Sequence, residues 1–294
     1  VPITKFDNNW IREDLDGIFR MGFKKVRTLY SKRSQFQRVE IVETAGHGRM
    51  LLLDGIVMLT ERDAFIYHEM IAHVPLFVHP QAAKVLVIGG GDGGTAREVL
   101  KHRSVKRLVM VEIDPEVVAA SREFLTGVNA ALEDPRLEVV IGDGIRFAAE
   151  TDERFDIVII DSSDPVGPGV GLFVRTFYES IARTLNPKGI LITQAESPFY
   201  DPDTQLSMLT HQRPLFERLH LYLYTTLSYP GGLYAFGFAS QGLCPLADFN
   251  LQRLGASGIV TRYYNSDIHR AAFMLPVFMT HRLESLLDPV TFDR

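Results

Sequence analysis

Carboxylates recur at the ends of apolar segments through the middle of this chain. Asp92 follows Val85–Ile88, and Glu112 and Asp114 follow Arg107–Val111. Asp143 follows Leu137–Ile141, Asp161 and Asp164 follow Phe155–Ile160, and Glu196 follows Gly189–Gln194. Each segment predicts a strand, and in an open parallel sheet the residues leaving the strand carboxyl ends face the ligand crevice. One such acid is ordinary turn chemistry. Acids at five successive strand ends point to a site for a cationic ligand.

The first of these ends is Val85-Leu-Val-Ile-Gly-Gly-Gly-Asp-Gly-Gly-Thr-Ala-Arg97. It reads as a buried strand, a tight turn open to close ligand approach, and a helix N-terminus. Gly89-x-Gly91-x-x-Gly94 satisfies the dinucleotide fingerprint. Glu112, 18 residues after Gly94, has the spacing of an acid that holds ribose hydroxyls. That spacing fits NAD-binding and adenosyl-sulfonium-binding folds equally. Asp92 helps to separate them, because a carboxylate beside this turn repels a pyrophosphate and suits a sulfonium. A donor without the usual amino-acid carboxylate leaves only positive charge, which suits Asp92 with Asp161 nearby.

Asp161-Ser-Ser-Asp-Pro-Val-Gly-Pro168 opens a Gly/Pro-rich stretch that runs to Gly171. Two carboxylates three residues apart on a loop can face one pocket, and the stretch is a candidate lid over substrate. The plainer alternatives are an Asp turn before Pro165 and a surface loop. His68 and His73 do not form a zinc helix. They are five apart, about 140° around a helix, whereas the metalloprotease motif needs four. Tyr67-His68 can still reach the crevice from the segment before the sheet.

The elements that must position these residues fall into two grammars. Phe23–Ser31, Gln37–Glu43 and Arg49–Leu53 predict strands, with Leu53-Asp-Gly-Ile56 as a hairpin turn. They read as a small antiparallel sheet, followed by a helix over Asp63–His73 that ends before Pro75. From Lys84 strands and helices alternate. Strands are expected at Lys84–Ile88, Arg107–Glu112, Leu137–Ile141, Phe155–Asp161 and Gly189–Gln194. Helices are expected at Thr95–Lys101, Pro115–Leu125, Arg175–Leu185 and Thr204–Leu215. The apolar run Ile157-Val-Ile-Ile160 implies a sheet covered on both faces. The expectation is an α/β fold with a doubly wound, mostly parallel sheet, closed by antiparallel strands at Leu219–Thr226 and Leu233–Ser240. A β-strand domain over 1–62 and a doubly wound domain over 63–294 follow.

Bulk properties exclude other classes. A net charge of −5 without a basic run gives no electrostatic footprint for nucleic acid. No apolar run reaches the about 18 residues that a bilayer span needs. Cys244 is the single cysteine, so an intramolecular disulfide and a thiol metal cluster are excluded. These features, with a start that lacks a signal-peptide pattern, lead to the expectation of a cytoplasmic protein.

These residues carry a resemblance. From about Gln37 to Pro276 the sequence resembles the polyamine aminopropyltransferases, the family of the spermidine synthases. Its specific pieces are Val85–Glu98, Leu53–Ile56, Thr60-Glu-Arg-Asp63 with Phe65-Ile-Tyr-His-Glu-Met70, Asp161–Pro168 and Tyr263-Tyr-Asn265. The resemblance implies a Rossmann-like sheet of the methyltransferase type and transfer of an aminopropyl group from decarboxylated S-adenosylmethionine to an amine. Putrescine is the expected acceptor, with cadaverine, agmatine or spermidine as alternatives. It implies no metal and no further cofactor, and a homodimer or homotetramer. Carried over by position, Asp161 is the proton acceptor. Tyr67, His68, Asp92, Asp164, Glu196 and Tyr229 hold the amines. Gln37, Gly89, Gly91, Glu112, Asp143, Gly144 and Pro168 hold the nucleoside, and Trp10 is matched to a tryptophan near the channel mouth.

Two positions depart from the family pattern, which has an acid where Ala64 stands and tends to Glu where Val170 stands. They bear on acceptor choice and on the lid. Three other readings remain. A methyltransferase predicts an acid just ahead of the glycines, where Ile88 stands, and gives the Asp161/Asp164 pair no purpose. A noncatalytic polyamine or nucleoside binder needs no base. A dehydrogenase is disfavoured by Asp92.

Overall fold

The structure, a computed structural model, describes residues 9–15, 17–125, 127, 129–162 and 167–290. Among these residues the chain begins with a five-stranded antiparallel sheet in the order β1-β2-β3-β4-β5. Its strands are β1 (Trp10–Leu15), β2 (Phe19–Arg33), β3 (Arg38–Thr44), β4 (Gly48–Leu53) and β5 (Ile56–Thr60). Asp54 and Gly55, both at positive φ, make the tight β4–β5 turn that the Asp-Gly pair predicts. The sequence reading placed no strand before Phe23. β1 and the first part of β2 are charged, half-exposed ribbons without a strong period, so tertiary pairing rather than pattern makes them strands.

The second sheet has seven strands in the order β11-β12-β10-β9-β6-β7-β8. They are β6 (Lys84–Gly89), β7 (Arg107–Glu112), β8 (Leu137–Ile141), β9 (Phe155–Asp161), β10 (Leu185–Gln194), β11 (Arg218–Thr225) and β12 (Leu233–Ser240). The pairs from β8 across to β10 are parallel, and β12 is antiparallel to both of its neighbours. Side chains alternate between two cores, as a strand's period of two requires. Val85 and Val87 of β6 join one core, and Leu86 and Ile88 join the other.

Helices cover both faces. They are α1 (Ala64–Val78), α2 (Gly94–Leu100), α3 (Pro115–Phe124), α4 (Gly144–Glu150), α5 (Arg175–Thr184), α6 (Pro202–Gln212), α7 (Leu251–Ala256), α8 (Ser266–Ala272) and α9 (Val277–Leu283). Helix α1 corrects the sequence reading, because it runs through Pro75 to Val78 instead of ending before it. It is buried continuously from His68 to Val78, and that packing outweighs the one hydrogen bond that Pro75 cannot donate. Strand β10 also starts earlier than expected, at Leu185, with an irregularity before Ile190. The last three helices were not read from sequence. They are six or seven residues long, too short to show a period.

Two sets of contacts hold this frame around the site. The N-terminal sheet packs Val39, Ile41, Leu51 and Leu59 against Val117, Ala120 and Leu125 of the α3 region. Ser34 Oγ donates to Asp114 at 2.7 Å, and Tyr30 and Lys32 both meet Glu116. From the other end of the chain, the backbone N–H groups of Arg262, Tyr263 and Tyr264 all donate to the buried carboxylate of Glu69 on α1. Sequential order is therefore far from spatial order around α1.

Candidate active site

Sheet order reverses at β6, which has β7 on one side and β9 on the other. That switch point is where an open α/β sheet leaves a crevice. Gly89, the last residue of β6, pairs directly with Asp161, the last residue of β9. Gly90 N–H donates to the Asp161 carbonyl at 2.8 Å. A Cβ on Gly89, whose φ is +86°, would stand 2.0 Å from that carbonyl oxygen. Only glycine lets the turn approach the end of β9 so closely.

A cavity of about 280 Å³ opens there, walled by both sheets and by α1. Its lining includes Gln37, Tyr67, His68, Gly89, Gly91, Asp92, Glu112, Asp143, Gly144, Asp161 and Tyr229. These are sequence-predicted site residues, brought together from both halves of the chain. Asp164 lies outside the described residues. Pro168 falls in a short 3-10 segment, Gly167–Phe173, whose Gly169 and Leu172 reach the cavity.

Two predicted residues lie outside this lining. Glu196 is buried, but Gln194 stands in the lining and Glu196 does not. In an unbroken strand residues two apart share a face. The left-handed backbone at Glu196, φ +55°, breaks that alternation just past β10. Trp10 also lies outside the lining; on β1 its ring faces the Lys24 ammonium at 5.5 Å.

The titratable groups in the cavity are strongly perturbed. Tyr67 Oη donates to Asp161 Oδ1 at 2.7 Å. Burial raises the Asp161 pKa above the ordinary carboxylate range and nearby Asp92 raises it further, while His68, Thr95 and Tyr67 oppose the rise. Burial, then Asp161, holds the Tyr67 phenol well above its usual value. Oδ2 of Asp161 is buried without a hydrogen-bond partner among the described residues.

On the α1 wall, His68 Nε2 stands 3.3 Å from Asp92 Oδ1. Burial works against a charge on His68, but Asp92 outweighs it and the pKa rises. Asp92 Oδ1 also accepts from Gly94 N–H at 2.7 Å, so it shapes the turn as well as facing the cavity. At the end of β7, Glu112 accepts from Gly91 N–H at 3.1 Å and from Asp114 N–H at 2.9 Å. Burial still pushes its pKa up to about 7. Asp143 caps α4 by accepting from Ile145 N–H at 2.8 Å. Gln37 Nε2 donates to Asp114 at 3.1 Å.

This cavity gathers a carboxylate with a raised pKa beside a glycine turn, a second buried carboxylate at the end of β7 and a third on the turn itself. The family description "Spermine/spermidine synthase domain" matches residues 64–250, and "Spermidine synthase tetramerisation domain" matches residues 9–61. The chain belongs to the spermine/spermidine synthase family. It is 44% identical to the polyamine aminopropyltransferase of Caldicellulosiruptor saccharolyticus over 90% of this chain and 95% of that one. With the Bacillus subtilis polyamine aminopropyltransferase it shares 41% identity over 92% of this chain and 97% of that one. A solved spermidine synthase in complex with the transition state analogue AdoDATO superposes with a TM-score of 0.92 and 38% identity, covering 97% of this chain and 98% of that one. The Thermotoga maritima spermidine synthase gives 0.91 and 37%, with 97% of each chain covered.

The family's β-sheet region and Rossmann-like region are both present, and they share the cavity. Residues that sequence reasoning missed also line it: Glu13 from β1, Asp63 just ahead of α1, Gln194, and Thr226, Ser228 and Pro230 around Tyr229. Ala64 is buried there, whereas Val170 is more than half exposed. Glu13 accepts from Val57 N–H at 3.2 Å. Nothing in its charged, exposed surroundings marks it in sequence. Among the described residues no cluster of three or more His, Cys, Asp or Glu is arranged to hold a metal. His73 instead joins His102 at 2.9 Å and Glu98 at 3.1 Å.

Proposed function

We propose that this protein transfers the aminopropyl group of decarboxylated S-adenosylmethionine to putrescine, giving spermidine and 5′-methylthioadenosine. The observation that carries the reading is Asp161: a half-buried carboxylate at the switch point, beside the glycine turn, with one oxygen held by Tyr67 and the other without a hydrogen-bond partner among the described residues. The complex of a relative with a transition state analogue supports the reading.

The chemistry asks little beyond position and a base. A sulfonium is already a good leaving group, so neither a metal nor a redox cofactor is required. The amine nitrogen attacks the propyl carbon, the carbon–nitrogen bond forms as the carbon–sulfur bond breaks, and methylthioadenosine leaves. The attacking amine must be neutral and aligned in line with the breaking bond. Asp161 accepts its proton, and a raised pKa makes this carboxylate a stronger base. Glu112 holds the ribose hydroxyls. Gln37, Gly89, Gly91, Asp143, Gly144 and Pro168 surround the nucleoside. Asp92, His68, Tyr67 and Tyr229 surround the amines. On the family resemblance Asp164 takes the distal ammonium, and Glu196 adds negative charge from behind the wall.

The reading includes a homodimer or homotetramer, supported by the tetramerisation-domain match. It divides the chain at 62/63, where β5 gives way to α1. A cytoplasmic location fits the single cysteine. No helix among the described residues is long and apolar enough to cross a membrane.

The test is methylthioadenosine release from decarboxylated S-adenosylmethionine with putrescine, cadaverine, agmatine and spermidine, each at limiting concentration. Preferential release with putrescine is expected. Preference for another amine keeps the chemistry and changes the acceptor, and no release with any amine removes the reading.

A further inference from the structure

Asp63 stands at the N-cap of α1, and aspartate is among the best capping residues. Its side chain makes no capping hydrogen bond. The carboxylate turns instead toward a segment more than 160 residues away. Oδ2 accepts from Thr226 Oγ1 at 2.9 Å, Leu227 N–H at 2.8 Å, Ser228 N–H at 3.0 Å and Ser228 Oγ at 2.8 Å. Oδ1 accepts from Thr60 Oγ1, at the end of β5. Asp63, Thr60, Thr226 and Ser228 are all buried. A carboxylate engaged by five donors is a strong, directional anchor.

What it anchors is a wall of the cavity. Residues 226–232 link β11 to β12, with Gly231 and Gly232 at positive φ. Thr226, Ser228, Tyr229 and Pro230 line the cavity beside Asp63 and Tyr67. Tyr229 Oη reaches back to the Met58 carbonyl on β5 at 2.5 Å. The turn is thus tied twice to the end of the N-terminal sheet, once by Asp63 and once by its own tyrosine. The next turn of α1 carries Tyr67 and His68, so Asp63 also sets the spacing between this wall and those side chains.

We propose that Asp63 is a positioning residue for the amine acceptor: by locking Thr226–Ser228 it fixes the Tyr229–Pro230 wall and thereby selects acceptor length. The inference rests on the aminopropyl-transfer reading. It places the selection for length in the second half of the chain and its anchor in the first.

The experiment is steady-state kinetics of Asp63→Asn and Ser228→Ala with putrescine, cadaverine and spermidine, alongside methylthioadenosine affinity. The Asn amide keeps one acceptor oxygen for the Thr226–Ser228 donors but loses the negative charge, so the turn is held more weakly. For Asp63→Asn the expected result is a putrescine KM raised about tenfold or more, since hydrogen bonds to a charged group are lost. The KM for decarboxylated S-adenosylmethionine should change by less than about twofold, and the preference for putrescine over the longer amines should fall. Ser228→Ala removes one donor and should move the same quantities in the same direction by about threefold. If Asp63→Asn does not fold, Ser228→Ala decides alone. An unchanged putrescine KM and amine preference overturns the proposal. A uniform fall in turnover and in methylthioadenosine affinity also overturns it, because that marks general loosening. A wild-type protein inactive with every amine defeats the functional reading itself, a result visible before any variant is made.

Discussion

Tyr67 and Asp161 meet at 2.7 Å across the cavity, the phenol donating to one oxygen of the carboxylate. This contact opposes the upward push of burial on the Asp161 pKa. Tyr67→Phe removes it, so the Asp161 pKa should rise further. Asp161 must be ionised to accept a proton. The acid limb of the kcat/KM profile for the amine should therefore move to higher pH, with reduced turnover at neutral pH. A pH–rate profile of the variant checks this. An acid limb that stays in place, or moves down, separates that limb from Asp161.

Asp161→Asn removes the base while keeping the shape. Turnover should fall about 10²–10⁴-fold, the usual loss for a general base. Methylthioadenosine binding, measured by calorimetry, should survive because the nucleoside contacts lie on other residues. Near-normal turnover would take Asp161 out of the proton-accepting role.

Gly94→Ala tests the α1 wall. A Cβ at Gly94 would stand 2.1 Å from Cε1 of the His68 ring, so the buried ring must move. Overpacking of this kind costs about 1–3 kcal/mol. The His68–Asp92 contact at 3.3 Å should be lost with it. The expected outcome is a lower Tm and a higher amine KM, with a smaller effect on the nucleoside substrate. Equal losses for both substrates would show that the ring supports the whole cavity.

Glu112 links stability to pH. Its pKa rises from an ordinary 4.5 to about 7 on folding. Below the lower value both states are protonated and the group has no effect. Between the two values the unfolded chain ionises and the folded one resists, so stability falls as pH rises. The full cost above pH 7 is on the order of 3 kcal/mol. Glu112→Gln should remove this fall, making the unliganded variant more stable than wild type at pH 8 and no different at pH 4. It should also lose nucleoside affinity. Denaturant titrations at the two pH values, with and without methylthioadenosine, test both parts.

The Rossmann-like half was legible because its strands are apolar runs and its acids fall where strands end. Gly89, Asp92, Glu112, Asp143 and Asp161 are all local signals of that kind. The opposite wall was harder to see. Glu13 lies on a half-exposed charged strand. Asp63 looks like a helix cap, and only the fold shows that its partners are Thr226 and Ser228. Glu196 lies behind the lining rather than in it. Its place after a strand suggested a side chain in the channel, but a left-handed backbone at one residue turned the strand's alternation aside. Pro75 was read as a stop, because a sequence does not show how completely a helix will be enclosed.

That enclosure has a consequence for how the chain assembles. Helix α1 is complete only when Glu69 receives backbone N–H groups from residues 193 to 195 positions later. Contacts so distant in sequence form late, because the loop they close must first lose its freedom. A nascent chain will have made Tyr67 and His68 long before it can complete the helix that carries them. Until Tyr264 has been added and docked, the Glu69 carboxylate lacks these donors, even where α1 already packs against α2 and β9. Tyr67 and His68 thus sit on a helix whose last buried hydrogen bonds come from a far later segment of the chain.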